Sequence, residues 1–255
     1  MVQQLSLLGQ ISESKIRRLI LTLSTLTGNI HSEMNQHTVI LKPRYPFTPE
    51  IVPGKVTQIE SYRIRMNRIW ESGYPLDISA RDDIKGDSIT KQKKEFLNDS
   101  IWTLQLSDIP AGGNQPVLIQ NLYETTIYET DDIIGYLDEL GYMHETEFWS
   151  HGRRFFYGDV IIEVLRLFII DSQSIEEVED ERVKLKLLDD SGSYLVKAYV
   201  NVGTINDVEN VTYGIKQLEK IKRILEEVIE LHVPDRLAMD SRINSRIANT
   251  NRQNI

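Results

Sequence analysis

The residue types best suited to catalysis or metal binding occur together in one short run, His144-Glu145-Thr146-Glu147. Because side chains alternate along a strand, Glu145 and Glu147 would share one face and could hold a hard cation. Mg²⁺ is often bound by one or two carboxylates together with the phosphates of a substrate. The same run also fits the solvated start of a strand that follows Gly141, and we favour this second interpretation.

The other histidines do not combine into a recognisable site. His31 and His37 lie in a polar region with no helix to bring them together, so their spacing is not that of a metal pair. His151 lies among arginines, and His232 comes shortly before Pro234. No serine or histidine has the further partners that a nucleophile and its base require. Neither glycine-rich nucleotide-binding motif is present.

Basic residues are grouped in two places, the second of them beside aromatic residues, and such a combination can bind single-stranded nucleic acid. The residues concerned are Arg63, Arg65 and Arg68, and the run Arg153-Arg154-Phe155-Phe156-Tyr157. The net charge of the chain is −9, whereas nucleic-acid binding usually requires a basic surface. We therefore favour structural strands with outward arginines, and a protein interface would have the same composition.

The composition of the chain excludes several further classes of site and segment. The chain has 255 residues, 40% of them hydrophobic, and no cysteine, which excludes disulfides and every site that needs a thiolate. No apolar run approaches the roughly 20 residues of a membrane span, so we expect no membrane insertion. The first residues lack the charged and apolar segments of a secretory signal.

Two helices have clear apolar stripes. The first follows Ser12, and it places Thr22 and Thr25 off its apolar face, with Gly28 as its terminator. The second begins near Asn206, which would be its N-cap. Its stripe comprises Val208, Val211, Ile215, Leu218, Ile221, Leu225 and Val228. A third, shorter helix is expected between residues 131 and 141, with Asp131 or Thr130 as its cap.

Period-two alternation predicts about eight strands, mostly joined by hairpins. They cover residues 3–11, 38–42, 58–66, 101–107, 117–128, 148–157, 160–170 and 194–202, and the alternation at 183–187 is consistent with a further short segment of the sheet. The predicted fold class is mostly β with flanking helices, an antiparallel curled barrel with helices over one mouth. We expect one domain over residues 1–242, a long loop insert at about 70–100, an acidic loop at about 171–182 and a flexible tail at 243–255.

Four sequence blocks resemble one known family. They read MVQQLSLLGQI with LTLSTLTGN, then WTLQLSDIPAGGN, LVKAYVNV and VIELHVPDRLAMDSR, and they span both ends of the chain in the order of the family. The chain closely resembles the yeast form of Mediator complex subunit 18, a family of head-module subunits of the RNA polymerase II coactivator. Residues 44–100 and 171–190 do not contribute to this resemblance.

The resemblance implies a nuclear, non-catalytic scaffold that supports transcription initiation by RNA polymerase II. It also implies a heterodimer with Mediator subunit 20 and attachment through a C-terminal helix of Mediator subunit 8. No cofactor and no sequence-specific nucleic-acid binding are expected. The family barrel is similar to the tunnel of fungal RNA triphosphatases, so the alternative function is a metal-dependent RNA or nucleoside triphosphatase of this type.

The sequence departs from the triphosphatase pattern in two respects. Tunnel enzymes bind metal through Glu-x-Glu strands, often continued as Glu-x-Glu-x-Lys. Here Glu145-Thr146-Glu147 is followed by Phe148 and Trp149, and no second strand with Glu-x-Glu is predicted. Without a metal cage the enzyme would lack its main means of stabilising a phosphoryl-transfer transition state.

Partner contacts can be predicted only as candidate surfaces. The first helix exposes Thr22 and Thr25 beside its core stripe. The segment from Leu237 to Arg242, which includes Met239, is partly apolar and lies close to the predicted tail. An exposed apolar segment in that position is typical of a protein interface. Truncation after Pro234 is therefore expected to weaken binding to the Mediator head.

Overall fold

The fold was analysed in a computed structural model that describes residues 1–45, 61–70, 84–89, 100–128, 132–171, 182–203 and 207–243. The strands of these residues are β1 (Val2–Ile11), β2 (Ser32–Pro43), β3 (Ile64–Ile69), β4 (Lys85–Asp87), β5 (Trp102–Ser107), β6 (Leu118–Ile127), β7 (Tyr142–Tyr157), β8 (Val160–Ile170), β9 (Arg182–Leu187) and β10 (Tyr194–Val202). The helices are α1 (Glu13–Thr27), α2 (Ile133–Glu139) and α3 (Val208–Leu225).

Eight of the described strands close into an antiparallel barrel, as predicted. The order around the wall is β1-β6-β5-β3-β2-β7-β8-β10, and β10 pairs again with β1. Closure depends on β8, which bonds β10 through Ile161–Leu165 and β9 through Phe168–Ile170. A closed wall leaves few free backbone groups, which removes the exposed edges of an open sheet.

Strands β9 and β4 form an extension beyond this ring. Strand β4 lies inside the 70–100 stretch that the sequence predicts as a long loop, so residues 85–87 of that stretch are strand rather than loop. The short run has no visible alternation because Gly86 occupies its centre. A Cβ at Gly86 would come within 2.8 Å of Leu185 Cδ1 and of Trp149 Nε1, so glycine permits β4 to pack this closely.

Strands β2 and β7 are longer than their apolar patterns indicate. Strand β2 begins at Ser32 rather than at 38, and β7 begins at Tyr142 rather than at 148. The additional residues of both strands are mostly polar. Those of β2 (32–37) pair with residues 149–154 of β7, and those of β7 (142–147) pair with residues 39–43 of β2. Backbone pairing needs no apolar side chain, so hydrophobic periodicity alone misses such extensions.

The apolar face of the wall is covered by helices. Helix α3 packs on β1, β8 and β10, where Leu218, Ile221 and Leu225 are buried against one core. Helix α1 adds Ile16, Leu19 and Leu23 to the same core and lies against β7. The helices predicted over one mouth therefore contact the outer face of the wall. Each fully buried leucine contributes about 1.5–3 kcal/mol to stability.

The first residue of α3 is not buried, although the sequence places it in the apolar stripe of this helix. Val208 is 73% exposed rather than buried, because the helix begins beyond the edge of the wall. The N-cap is Asp207, whose side chain accepts a hydrogen bond from the Asn210 N–H at 3.0 Å. Asn206, the predicted cap, lies outside the described residues, as do Thr130 and Asp131. Helix α2 is capped by Asp132.

None of the three helices in the described ranges combines the length and the apolar character that crossing a membrane requires.

Glycine at position 152 is required by the close approach of β7 and β8. A Cβ there would lie 2.0 Å from the Val164 carbonyl oxygen. We predict that Gly152→Ala lowers the free energy of unfolding by about 1–3 kcal/mol, as overpacking does in other cores. Urea denaturation measures the change. The matched control is Gly203→Ala, since a Cβ at Gly203 meets no atom within 4 Å; equal losses in both variants would contradict the prediction.

Candidate functional site

Glu145 and Glu147 do not form a common site. The pairing of β2 with β7 shifts between Ile40 and Leu41, so that Thr146 and His144 are successive partners and Glu145 is an extra residue in β7. Such a bulge reverses the direction of one side chain. The two carboxylates consequently have different neighbours, and the sequence-based expectation of a shared face is wrong.

Glu145 lies at the surface in a cluster of opposite charges. Its carboxylate accepts hydrogen bonds from Arg63, at 2.6 Å from Nε and 3.2 Å from Nη2. Lys42 Nζ is 4.0 Å away. Both basic side chains are partly exposed, so solvent screens these pairs and each contributes at most about 1 kcal/mol.

Glu147 is buried and occupies the centre of a polar network. Its Oε2 lies 2.9 Å from His37 Nε2 and 3.1 Å from the Ile89 N–H. The Ser88 hydroxyl donates to its Oε1. Two of these partners belong to the residues around β4, so the carboxylate connects the extension to the barrel wall.

Arg68 determines which nitrogen of His37 carries the proton. Arg68 Nε donates to His37 Nδ1 at 3.1 Å, and an arginine can only donate. His37 Nδ1 is therefore the acceptor, and Nε2 carries the hydrogen that is donated to Glu147. The same guanidinium bonds the Asp87 carbonyl at 3.3 Å and the Ser100 hydroxyl at 3.2 Å.

The pKa shifts agree with a neutral histidine between two charged groups. Burial lowers the pKa of His37, and although the hydrogen bond to Glu147 opposes it, the net direction is down. Burial alone would raise the pKa of Glu147, but hydrogen bonds from His37 and Ser88 hold it below its ordinary value. Arg68 supplies the compensating positive charge.

Two tryptophans enclose this network. His37 stacks on Trp149 with ring centroids 4.6 Å apart and an interplanar angle of 4°. The Arg68 guanidinium lies 4.9 Å from the centre of the Trp102 ring. His37, Glu147 and Arg68 are almost completely buried, so a substrate has no access to them. The arrangement is suited to fixing structure rather than to catalysis.

The described ranges contain no group of three or more His, Cys, Asp or Glu side chains placed to hold a metal ion. With Glu145 and Glu147 assigned to separate clusters, the carboxylates that the triphosphatase alternative needs are not brought together.

The second basic and aromatic run does not form a binding platform. Phe155 is only 1% exposed and belongs to the main core, whereas Phe156 is half exposed. Arg154 donates to Glu163 Oε1 at 3.0 Å from Nε and 2.8 Å from Nη2. Tyr199 donates to the same oxygen at 2.9 Å. These contacts support a structural strand, but Arg154 lies on the inner face of the wall with Glu163, so the expectation of an outward arginine is wrong at this position.

The predicted partner residues of α1 are at the surface, but their hydroxyls are occupied. Thr22 Oγ1 donates to the Arg18 carbonyl and Thr25 Oγ1 to the Leu21 carbonyl, both at 2.9 Å. Leu21, which is 60% exposed, precedes Thr22 on the same helix and lies one turn before Thr25. This surface, which we call the α1 patch (Leu21, Thr22 and Thr25), therefore presents methyl groups rather than free donors.

The predicted C-terminal residues differ strongly in accessibility. Leu237 is 59% exposed. Met239 is partly buried, and its carbonyl accepts from Gln120 Nε2 at 3.2 Å. Arg242 is held by Asp240, with Nη2 2.7 Å from Oδ2. Of these three predicted contacts, Leu237 is the one that the described structure leaves open to a partner.

The segment from 235 to 243 is also part of the barrel. Ser241 Oγ donates to the Ser107 carbonyl at 2.6 Å, and the Arg63 N–H donates to the Ser241 carbonyl at 2.9 Å. Arg236 Nε donates to the Pro110 carbonyl at 2.8 Å. We call residues 235–243 the C-terminal clamp, because they join strands β3 and β5 and the turn after β5.

The inner face of the barrel was missed by the sequence interpretation. The register places Arg65, Glu124, Arg154, Glu163 and Lys197 on the face opposite to the helix-covered cores. Sequence shows only that these residues alternate with apolar ones. Which face is enclosed becomes clear only when the wall closes.

These features define a class: a closed antiparallel barrel covered by helices, with a buried polar cluster that stabilises the fold. A protein-family model described as Med18 protein matches residues 3–242. The chain therefore belongs to the Med18 family.

Full-length relatives agree with this assignment. The chain is 32% identical to the Yarrowia lipolytica protein named Mediator of RNA polymerase II transcription subunit 18, over 95% of this chain and 100% of the relative. The Candida albicans protein of the same name is 30% identical, with coverage of 95% and 99%.

A solved structure shows the same fold. A chain of the Schizosaccharomyces pombe Mediator head module matches with a TM-score of 0.68 and 15% identity, over 91% of this chain and 98% of that one.

The two carboxylates of the Glu-Thr-Glu run are predicted to differ in their effect on stability. Glu147→Ala leaves buried donors unpaired and should lower the free energy of unfolding by about 3–5 kcal/mol. Glu145→Ala removes a screened surface pair and should cost about 1 kcal/mol or less. Urea denaturation of both variants makes the comparison, and similar losses would contradict the assigned surroundings.

Protonation of His37 should make stability depend on pH. Because the pKa of His37 is lowered on folding, the unfolded chain takes up a proton at higher pH, near the ordinary value of 6.5. Its contribution is therefore present above that pH and is lost as pH falls below it, with a slope up to about 1.4 kcal/mol per unit.

His37→Gln provides the test, since glutamine can accept from Arg68 and donate to Glu147 without titrating. Between pH 7 and pH 5 the unfolding free energy of the natural chain should fall more steeply than that of the variant. Parallel pH profiles would show that His37 does not contribute.

Proposed function

We propose that this chain is a non-catalytic subunit of the Mediator head, where it acts as a protein scaffold for transcription by RNA polymerase II. The observation that carries the proposal is the match to the Med18 family along residues 3–242. The high coverage of relatives named as Mediator subunit 18 supports it. Whole-chain agreement of this kind indicates a shared role more strongly than a likeness of fold alone.

The absence of enzymatic activity is part of the proposal. The buried cluster of His37, Glu147 and Arg68 is covered by Trp102 and Trp149, and Glu145 is already bound by Arg63. A general acid or base must reach the substrate, which His37 and Glu147 do not do. We expect no phosphate release from a nucleoside triphosphate with Mg²⁺ or Mn²⁺.

Two partners are proposed from the resemblance, Mediator subunit 20 and the C-terminal helix of Mediator subunit 8. The α1 patch and Leu237 are the proposed contacts, because both expose apolar groups to solvent. Thr22 and Thr25 would contribute through their methyl groups. Met239 and Arg242 would act indirectly, since they hold the C-terminal clamp that presents Leu237.

The proposed place of action is the nucleus, together with the RNA polymerase II initiation machinery. The net charge of −9 disfavours a direct grip on nucleic acid, because phosphate contacts require positive charge. Residues 1–242 are proposed to act as one domain carrying the 70–100 insert and the acidic 171–182 stretch, with 243–255 as a tail.

Co-expression tests the scaffold directly. We expect the chain, subunit 20 and the C-terminal segment of subunit 8 to purify as one stoichiometric complex on a sizing column. A chain that elutes alone as a stable monomer in the presence of both partners would overturn the proposal.

Point variants then test the proposed contacts without disturbing the fold. Truncation after Pro234 also removes the clamp, so a loss of binding would not distinguish a contact from a damaged wall. Leu237→Ser leaves the backbone bonds of the clamp in place and should weaken assembly at least tenfold, as a central apolar contact does. Val208→Ser is the control: Val208 lies on α3, is 73% exposed against 59% for Leu237, and its variant should assemble normally. Unchanged assembly of Leu237→Ser would exclude this residue as a contact.

A further inference from the structure

A pocket of about 320 Å³ opens where β8 passes from one partner strand to the next. Strand β8 pairs with β10 up to Leu165 and with β9 from Phe168 onward. Residues 188–193, which connect β9 to β10, leave the wall at this point. The pocket is therefore a consequence of the same double pairing of β8 that closes the barrel.

The walls of the pocket are leucine side chains from four strands and the turn after β9. Leu8 of β1 is paired in register with Lys197 of β10. Leu195 lies opposite Leu165 and two residues from Lys197, so these leucines share the inner face of the barrel with Lys197. We call the leucines that line the pocket the leucine mouth: Leu8, Leu165, Leu167, Leu187, Leu188 and Leu195.

The turn beside the leucine mouth is fixed by its own hydrogen bonds. Asp189 Oδ1 accepts from the Ser191 N–H at 2.9 Å, and the Gly192 N–H donates to the Asp189 carbonyl at 3.0 Å. The buried Arg166 donates to the Gly192 carbonyl at 3.2 Å. The pocket is therefore preformed, and a ligand can bind without the entropic cost of ordering this turn.

Polar side chains at the rim of the pocket are supplied by Gln10, Asp189, Ser193 and His232. Gln10 Nε2 donates to Asp189 Oδ2 at 3.4 Å, which joins β1 to the turn. Hydrogen bonds from Ser191 hold the pKa of Asp189 below its ordinary value, so its carboxylate is ionised at neutral pH. Asp189 therefore gives the rim a negative charge.

This combination defines the chemical class of a ligand. A volume of about 320 Å³ is at the lower end of the range of small-molecule sites, whose walls are mostly apolar with a few polar groups that fix orientation. Antiparallel barrels of eight strands are wide enough to hold one small ligand. Leucine walls need an apolar body, and an ionised carboxylate at the rim favours a positively charged end.

We propose that the leucine mouth binds a small amphipathic amine, with the apolar chain among the leucines and the ammonium group at Asp189. The net charge of −9 of the whole chain adds a general attraction for cations. A phosphate or a carboxylate is disfavoured at this rim because Asp189 repels it. Such binding would be a function separate from assembly into Mediator.

Alkyl compounds of equal chain length test the proposal. Octylamine, octanol and octanoate are titrated separately into the purified full chain by calorimetry at neutral pH, below the concentrations at which they form micelles. We expect octylamine to bind most tightly and octanoate most weakly. An absence of octylamine binding, or binding of octanol or octanoate at least as tight as that of octylamine, would overturn the proposal.

A pair of charge variants locates the ammonium group. Asp189→Asn removes the charge but keeps an acceptor for the Ser191 N–H, so it should weaken octylamine binding about two- to fivefold, as for a solvent-screened ion pair. Binding of octanol should not change. Asp190→Asn removes the same charge from the next residue, which does not line the pocket, and should have no effect. Equal losses in both variants would contradict the assignment to Asp189.

A pair of apolar variants locates the alkyl chain. Leu188 is 53% exposed, so Leu188→Ser should leave the fold intact while removing part of the apolar wall. It should weaken binding of all three compounds at least about fivefold, because the contact area with the chain is lost. Val208→Ser, at an exposed position on α3, is the control and should bind them normally. Unchanged binding by Leu188→Ser would exclude this pocket.

The complex with Mediator subunits 20 and 8 distinguishes a ligand site from a partner contact. We expect octylamine to bind the complex as it binds the single chain. Loss of binding in the complex would show that a partner covers the leucine mouth, and it would overturn the small-molecule assignment. The titrations of the single chain do not depend on the partners, so this inference and the proposed function can fail independently.

Discussion

The structure depends on the double pairing of β8. This strand bonds β10 along its first half and β9 along its second, and only the first pairing closes the wall. When the sheet closes, one of its faces becomes the interior of the barrel and the other becomes its outer surface. The apolar side then needs cover, which α1 and α3 provide, and the polar side becomes a narrow interior where charges interact at short range.

The His37 network holds the short strand β4 against the barrel wall. Strand β4 has three residues, too few to hold its place by backbone pairing alone. Ser88 and the Ile89 N–H bond Glu147, and the Asp87 carbonyl bonds Arg68. Buried charge is costly unless it is compensated, and here one carboxylate and one guanidinium compensate each other through a neutral imidazole.

Sequence predicted the barrel and the two long helices because both depend on local periodicity. The stripe residues Leu218, Ile221 and Leu225 were identified correctly. The surroundings of Glu145 and Glu147 were not, because a bulge changes the alternation and leaves no mark in the sequence. His37 was set aside by its spacing from His31, yet its real partners are Glu147 and Arg68, brought together only by strand pairing.

A closed barrel also limits how a scaffold can be recognised. Partners cannot add a strand to the closed part of the wall, since its backbone groups are already paired. The Thr22 and Thr25 hydroxyls are bonded within α1, so they cannot recognise a partner by donating to it without breaking those bonds. The proposed recognition at the α1 patch would then depend on shape and on apolar contact with Leu21. The proposed contact at Leu237 would likewise be apolar, and the C-terminal clamp, which is bonded to the wall, would hold this side chain in place.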